Sequence, residues 1–320
     1  MVARANYEVA EHRFSVESSQ PDLLFMMTNY EPFKSASSVD ENTLKSIFNL
    51  VINHVGLLSA SEKQGYNLLF VDNAEKDMPR IEVYQSLDLD QWLIRISVLA
   101  DSPICCELTS DSKFTNGVLH IASDCQDIRF CIDNALMLMY AFRTAPLMTL
   151  EMHAAVVVKR GAMGNGLSAI GEERGDEAKG YLFLGHSGTG KSTHARQWLA
   201  AFEDAWLLND DNPILRVMND GQVRVYGSPW SGKTPCYKNA DVPVGAIVKL
   251  SQAPHNKLET ISLPQAYAYM LSSASGLKMD QTMADNMFET IKHIITHTPC
   301  YHLACLPNEE AAKVCWAGVQ

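Results

Sequence analysis

Gly185, His186, Ser187, Gly188, Thr189, Gly190, Lys191 and Ser192 spell a complete G-x-x-x-x-G-K-[ST] phosphate-binding pattern. Glycines let the backbone curl with its N–H groups inward and keep Cβ atoms away from phosphate oxygens. Lys191 is placed to reach the β- and γ-phosphates as a point charge. The Ser192 hydroxyl is a candidate ligand for a Mg²⁺ ion that keeps several waters, and Thr193 closes the loop. The apolar run Tyr181, Leu182, Phe183, Leu184 predicts a strand leading in. The stretch from Ser192 to Phe202 has no Pro or Gly and predicts a helix leading out. The N-terminal dipole of that helix favours an anion at the loop.

Nineteen positions after Lys191 a second candidate appears, where Ala205 to Asn209 reads as a short buried strand ending in Asp210 and Asp211. Open α/β sheets bind ligands beyond the carboxyl ends of their strands. One carboxylate there could hold Mg²⁺ while the other takes the proton of an attacking hydroxyl. Taken alone, Asp210-Asp211-Asn212-Pro213 is also good turn chemistry. The spacing from the loop favours the site. His153 precedes the apolar strand Ala154 to Val158, a setting shared by structural and functional histidines. Lys233, in the turn Gly227 to Lys233, is a candidate to stabilise charge on a transferring phosphoryl group or a solvated lysine. Trp230 is expected to pack in the core, and His186 and His194 to be incidental to the chemistry.

These residues together resemble a known family. His153-Ala154-Ala155-Val156, then Leu182 to Thr193, then Leu208-Asn209-Asp210-Asp211 are similar to the catalytic domain of HPr kinase/phosphorylase and to the wider HPr-kinase-like group. The resemblance covers about residues 150–275. It implies an α/β fold, a phosphoenolpyruvate carboxykinase-like P-loop domain with a mixed sheet; the region before it reads, from its own alternation, as smaller and mostly β. It also implies Asp210 as general base, Ser192 and Asp211 as the metal-binding pair, His153 as a neighbour tuning the acidic site, and a possible homo-oligomer. Thr193 stands where HPr kinases carry Glu, and their glycine- and arginine-containing block after the catalytic Asp is missing. Gly227 to Lys233 is closer to the uncharacterised HPr-kinase-like proteins.

The expected activity is a Mg²⁺-dependent kinase moving the γ-phosphoryl of ATP or GTP to an acceptor hydroxyl, on a serine of a small protein or peptide or on a small molecule. The alternative is a nucleotide-dependent binding or switch protein, which needs the same loop and metal pair. A decarboxylating phosphoenolpyruvate enzyme needs further metal-ligand and substrate residues that do not stand out. An ABC-type ATPase needs a sensing motif that Leu271 to Gly276 does not supply.

The elements that must position these groups can be read more coarsely. At 320 residues and 47% apolar content, the chain has room for one large or two medium domains with a sizeable core. A division near residue 127 separates a strand-rich region, 1–127, from the P-loop domain, 128–320. Alternation at Arg80 to Tyr84 and Trp92 to Leu99 predicts antiparallel strands. Leu44 to Val55 fits a helical face, though its β-branched content also suits a strand; the helix is preferred. Ile128 to Arg143 reads as a buried helix. Residues 160–179 read as a solvated excursion, conceivable as a lid, that makes the P-loop strand the second arm of a long hairpin. Met283, Met287, Ile291, Ile294 and Ile295 mark an amphipathic helix ending before Pro299. A strand at Tyr301 to Cys305 and a helix after Pro307 follow.

Charge and composition exclude several classes. A formal charge of −11 with no basic run argues against a nucleic-acid partner. No apolar stretch approaches the about 18 residues of a membrane span, and Met1 to Tyr7 lacks the apolar core of a secretory signal, so a cytoplasmic location is expected. The eight cysteines, at 105, 106, 125, 131, 236, 300, 305 and 315, show no C-x-x-C and no zinc-ligand spacing. Reduced, packed thiols are the simplest expectation, and a Cys300/Cys305 metal or redox pair is the alternative.

Overall fold

The computed structural model describes residues 2–35, 46–72, 79–88, 90–161, 178–232 and 234–320. The chain is mixed α/β and forms two compact units, Met1–Thr144 and Ala145–Gln320.

The first unit is largely β. Strands β1 (Ala3–Val9), β2 (His12–Ser18), β3 (Asn49–Asn53), β4 (Tyr66–Asp72), β5 (Arg80–Ser86), β6 (Gln91–Ser97), β7 (Ile104–Asp111) and β8 (Asn116–Ile121) form one mixed sheet, ordered β1-β2-β3-β8-β7-β6-β5-β4. The expected pair around Arg80 and Trp92 is the antiparallel couple β5 and β6. A helix over Leu44 to Val55 is not what forms: β3 runs parallel between β2 and β8, with Leu50 and Ile52 fully buried. The β-branched Val51 and Ile52 suit that slot, and ladder pairing on both edges outweighs the helical spacing. Residues 44 and 45 lie outside the described residues. Helix α1 (Pro21–Phe25) packs on β1 and β2, and α2 (Ile128–Thr144) on β7 and β8. Tyr140 of α2 donates its hydroxyl to the Val9 carbonyl at 3.0 Å among buried Tyr7, Phe14 and Phe48. This helix, expected to open the second unit, therefore belongs to the first, and the division falls after Thr144 rather than residue 127.

The second unit contains β9 (Thr149–Glu151), β10 (Ala154–Arg160), β11 (Ala178–Leu184), α3 (Lys191–Ala201), β12 (Trp206–Asn209), β13 (Ile214–Val217), β14 (Val223–Tyr226), β15 (Asp241–Gln252), β16 (Lys257–Thr260), α4 (Leu263–Ser273), α5 (Gln281–His297), β17 (Cys300–Cys305) and α6 (Glu309–Val319). Its main sheet runs β12-β10-β11-β15-β17-β16, parallel only at β11/β15 and β15/β17. The long β15 also pairs through Asp241–Pro243 with β14, starting an antiparallel arm β14-β13-β9. As the sequence predicts, β10 and β11 are two arms of a hairpin; residues 162–177, most of the expected excursion and the conceivable lid, lie outside the described residues.

Alternation along β11 sends Tyr181 and Phe183 to the face that α3 and α6 cover. Trp198 is fully buried there against Tyr181, Phe183 and Trp316. The α5 stripe Met283, Met287, Ile291, Ile294 and Ile295 is buried, as its spacing predicts. Asp280 caps α5 by accepting from the Met283 N–H, and Asn308 caps α6 by accepting from the Ala311 N–H. No helix among the described residues is long and apolar enough to cross a membrane.

Candidate functional site

Antiparallel insertion of β10 between β11 and β12 decides what meets at one edge of the sheet. The carboxyl end of β11, where the Gly185 to Ser192 loop begins, and the carboxyl end of β12, where Asp210 and Asp211 sit, both lie beside the amino end of β10. His153 immediately precedes that end, and the Ala154 N–H donates to the Asp211 carbonyl at 2.9 Å. Residues 153, 185–193 and 210–211 therefore share one sheet edge.

The loop has the backbone its glycines permit. Gly188 and Gly190 have φ of +78° and +105°, a region that side chains with a Cβ rarely adopt. Gly190 is the N-cap of α3, so the first N–H groups of this helix have no intrahelical acceptor. Lys191 is buried and curls back, donating from Nζ to the Gly185 carbonyl at 2.9 Å and the His186 carbonyl at 3.3 Å. Its pKa is lowered by burial, opposed by the negative charge of Asp211 and Asp210. Lys191 and both carboxylates thus sense one another across the site. Ser192 and Thr193 are half-buried, while His186, Ser187 and Gly188 are exposed.

His153 Nε2 faces Asp211 Oδ1 at 3.4 Å. Burial lowers the His153 pKa, with Lys191 adding to the effect and Asp211 opposing it. The ring is therefore displaced below the near-neutral value that a free histidine has. Burial raises the Asp211 pKa and Asp210 adds to that, while His153 and Lys191 oppose it. Desolvation pushes both partners toward neutrality, so this contact is not a strong ion pair. Asp210 is buried, with 4% of its surface exposed.

Asn209, read from the sequence only as the end of a strand, organises the acidic turn. Its Oδ1 accepts the N–H groups of Asp211 at 2.8 Å and Asn212 at 2.9 Å. Its Nδ2 donates to the Ser228 hydroxyl and the Trp230 carbonyl, both at 3.1 Å. Ser228 in turn donates to the Asn212 carbonyl at 2.6 Å. This fully used amide ties the 227–232 turn to the Asp pair. Gly232 comes so close that a Cβ there would lie 3.3 Å from the Asp211 Cβ. Trp230 is a core side chain, 2% exposed, as expected. Lys233 lies outside the described residues.

Two further groups at this edge carry no sequence signal. Lys249, paired with Leu184 across the parallel β11/β15 ladder, adds a cation whose field reaches Lys191. Glu151, at the end of β9, is fully buried; its Oε2 has no hydrogen-bond partner among the described residues, and burial together with Asp211 holds its carboxyl well above the usual range. Isolated residues of these types are common, and only strand pairing brings them here. His194 is structural: burial takes its pKa down to about 4, and its Nε2 accepts from Trp198 Nε1 at 3.0 Å. A cavity of about 560 Å³ flanks the loop, lined by Gly188, Thr189, Gly190, Thr193, Gln252 and Pro307 among others.

The arrangement offers a helix N-terminus and a lysine for an anion. Beside them stand an oxygen-only set, Ser192 and Asp211, of the kind Mg²⁺ takes, and a second buried carboxylate. Compared with models of known protein families and with curated proteins, the chain matches none.

Proposed function

We propose that this chain is a Mg²⁺-dependent kinase that transfers the γ-phosphoryl of ATP or GTP to an acceptor hydroxyl. The observation that carries the reading is the convergence of the 185–192 loop and the Asp210-Asp211 pair on one sheet edge, although β10 separates their strands. The resemblance of about residues 150–275 to the HPr-kinase-like group, with its phosphoenolpyruvate carboxykinase-like P-loop fold, points the same way.

The residues fit the metal. Asp211 is held partly out of water next to Asp210, an electrostatic deficit that a cation relieves. Bound there by Asp211 and Ser192, Mg²⁺ would neutralise charge on the β- and γ-phosphates. The loop N–H groups and Lys191 cradle the phosphates, and Lys191 exchanges its two loop carbonyls for phosphate oxygens. Asp210 takes the proton from the acceptor hydroxyl as its oxygen attacks the γ-phosphorus. The bond to the β–γ bridging oxygen breaks, and the nucleoside diphosphate leaves. His153, neutral at physiological pH, orients Asp211 without adding a positive charge. The cavity beside Gly188 to Gly190 has room for the nucleoside.

Calorimetry with ATP and GTP, with and without Mg²⁺, on wild type and Lys191→Ala tests the first half of the reading. Metal-dependent binding that the variant loses supports it, and absence of binding to either nucleotide overturns it. A screen of peptides and small hydroxyl compounds with γ-labelled nucleotide tests the second half. Tight binding with no transfer to any acceptor would favour a nucleotide-operated switch.

A further inference from the structure

A second constellation lies in the first unit, remote in sequence from the P-loop and independent of the kinase reading. The Sγ atoms of Cys105, Cys106 and Cys131 all lie within 4.8 Å of one another, and all three residues are buried. Cys131 Sγ is 3.6 Å from Cys105 Sγ and 3.7 Å from the Sγ of Cys125, a partly buried residue on the turn before α2. We propose that the Cys105, Cys106 and Cys131 triad holds a zinc-class divalent cation, with Cys125, which lies outside the triad beside Cys131, closing on it as the fourth thiolate.

Neighbouring residues on a regular strand point to opposite faces, so an adjacent Cys-Cys pair should not serve one ion. Here the strand is not regular. Ile96 pairs with Cys106 but Ser97 pairs with Ile104, which leaves Cys105 as the extra residue of a bulge between β6 and β7. A bulge re-aims a side chain, and this one brings both sulfurs to Cys131 on α2. The remaining ligand comes from a turn held in place by two backbone bonds, Ala122 N–H to the Cys105 carbonyl at 2.9 Å and Cys125 N–H to the Ala122 carbonyl at 3.0 Å.

The two separations that Cys131 makes suit the chemistry. A tetrahedral site with metal–sulfur bonds of about 2.3 Å has sulfurs roughly 3.8 Å apart, close to the 3.6 and 3.7 Å that separate Cys131 from Cys105 and Cys125. All four cysteines are free thiols, and a disulfide would need the sulfurs to close to about 2.05 Å. Cys131 stands in the first turn of the 17-residue α2, where the helix dipole favours negative charge, and the Asp127 N–H faces the Cys125 sulfur. Cation binding would displace the thiol protons and pin α2 to β7. Partial exposure of Cys125 provides an entry path. Because the ligands read C-C-x18-C-x5-C, no familiar zinc spacing announces them.

Cobalt titration of the reduced, chelator-stripped full chain tests the assignment. The expected result is one Co²⁺ per chain with the intense sulfur-to-metal absorption of a tetrahedral thiolate site, bleached by one equivalent of Zn²⁺. Cys125→Ser, at the most exposed position, should weaken Co²⁺ binding at least tenfold and reduce that absorption, while Cys300→Ser leaves both unchanged. If the stripped chain does not hold its fold, the zinc content of protein purified under reducing conditions decides instead: one per wild-type chain, and markedly less in Cys125→Ser. Absence of thiolate absorption, equal metal content in both variants, or a Cys105–Cys131 disulfide in the unreduced native protein would overturn the proposal.

Discussion

His153 Nε2 stands 3.4 Å from Asp211 Oδ1, and burial drives the two groups in opposite pKa directions, the imidazole down and the carboxyl up. Each is displaced toward its neutral form. A carboxyl with a raised pKa keeps its proton to higher pH, and a protonated carboxyl is a poor Mg²⁺ ligand. Mg²⁺-dependent nucleotide affinity should therefore fall as pH drops through the raised Asp211 value, which lies above the ordinary 3.8. Titration calorimetry across that range would show it, and Asp211→Asn should remove both the Mg²⁺ requirement and the acid limb. An affinity independent of pH would remove Asp211 from the metal site.

His153→Asn keeps a polar group beside Asp211 but changes its reach. As an outer partner of a metal ligand, His153 should contribute about 10–100-fold to metal affinity or transfer rate. Nucleotide binding without Mg²⁺ should be little changed. Equal losses with and without Mg²⁺ would mean that the ring acts on folding instead.

Asp210→Asn separates binding from chemistry. With the base removed, transfer should drop about 10²- to 10⁴-fold while nucleotide affinity stays within a few-fold. Lys191→Ala should lose both, since its ammonium is the buried cation that the loop presents. Undiminished transfer by Asp210→Asn would refute the assigned base.

Asn209→Ala removes the acceptor of two backbone N–H groups and the donor to Ser228 and Trp230. Leaving such groups unpaired costs about 1–3 kcal/mol each, so a loss of several kcal/mol is expected in denaturant unfolding. Metal-dependent binding should weaken in whatever folded protein remains, because the same amide sets the Asp211 backbone.

Glu151→Gln should change how stability depends on pH. Burial, reinforced by Asp211, raises the Glu151 pKa well above 4.5, so the folded chain keeps a proton that the unfolded chain releases above that value. The associated stability is fully present below pH 4.5 and is lost as pH rises toward the folded value. Across that window the wild type should lose up to about 1.4 kcal/mol per pH unit relative to Glu151→Gln. Unfolding at a series of pH values from 4 to 8 measures this; a constant offset between the two proteins would mean that Glu151 titrates normally.

Local features of this protein were legible in its sequence because local rules govern them. The strand into Gly185, the left-handed glycines and the helix out of Lys191 are specified by consecutive residues. The buried stripe of α5 follows from spacing alone. Tertiary pairing decided the rest. Residues 49–53 became a strand because β2 and β8 flank them, whatever the helical spacing of Leu44 to Val55 implied. Antiparallel β10 carries His153 to Asp211 and β9 carries Glu151 to the same edge, from positions about sixty residues away in the chain. The bulge that turns Cys105 toward Cys131 arises in a pairing between strands, which no run of residues contains by itself. Backbone conformation is set by neighbours in sequence. The company a side chain keeps is set by which ladders form, and that is a property of the whole fold.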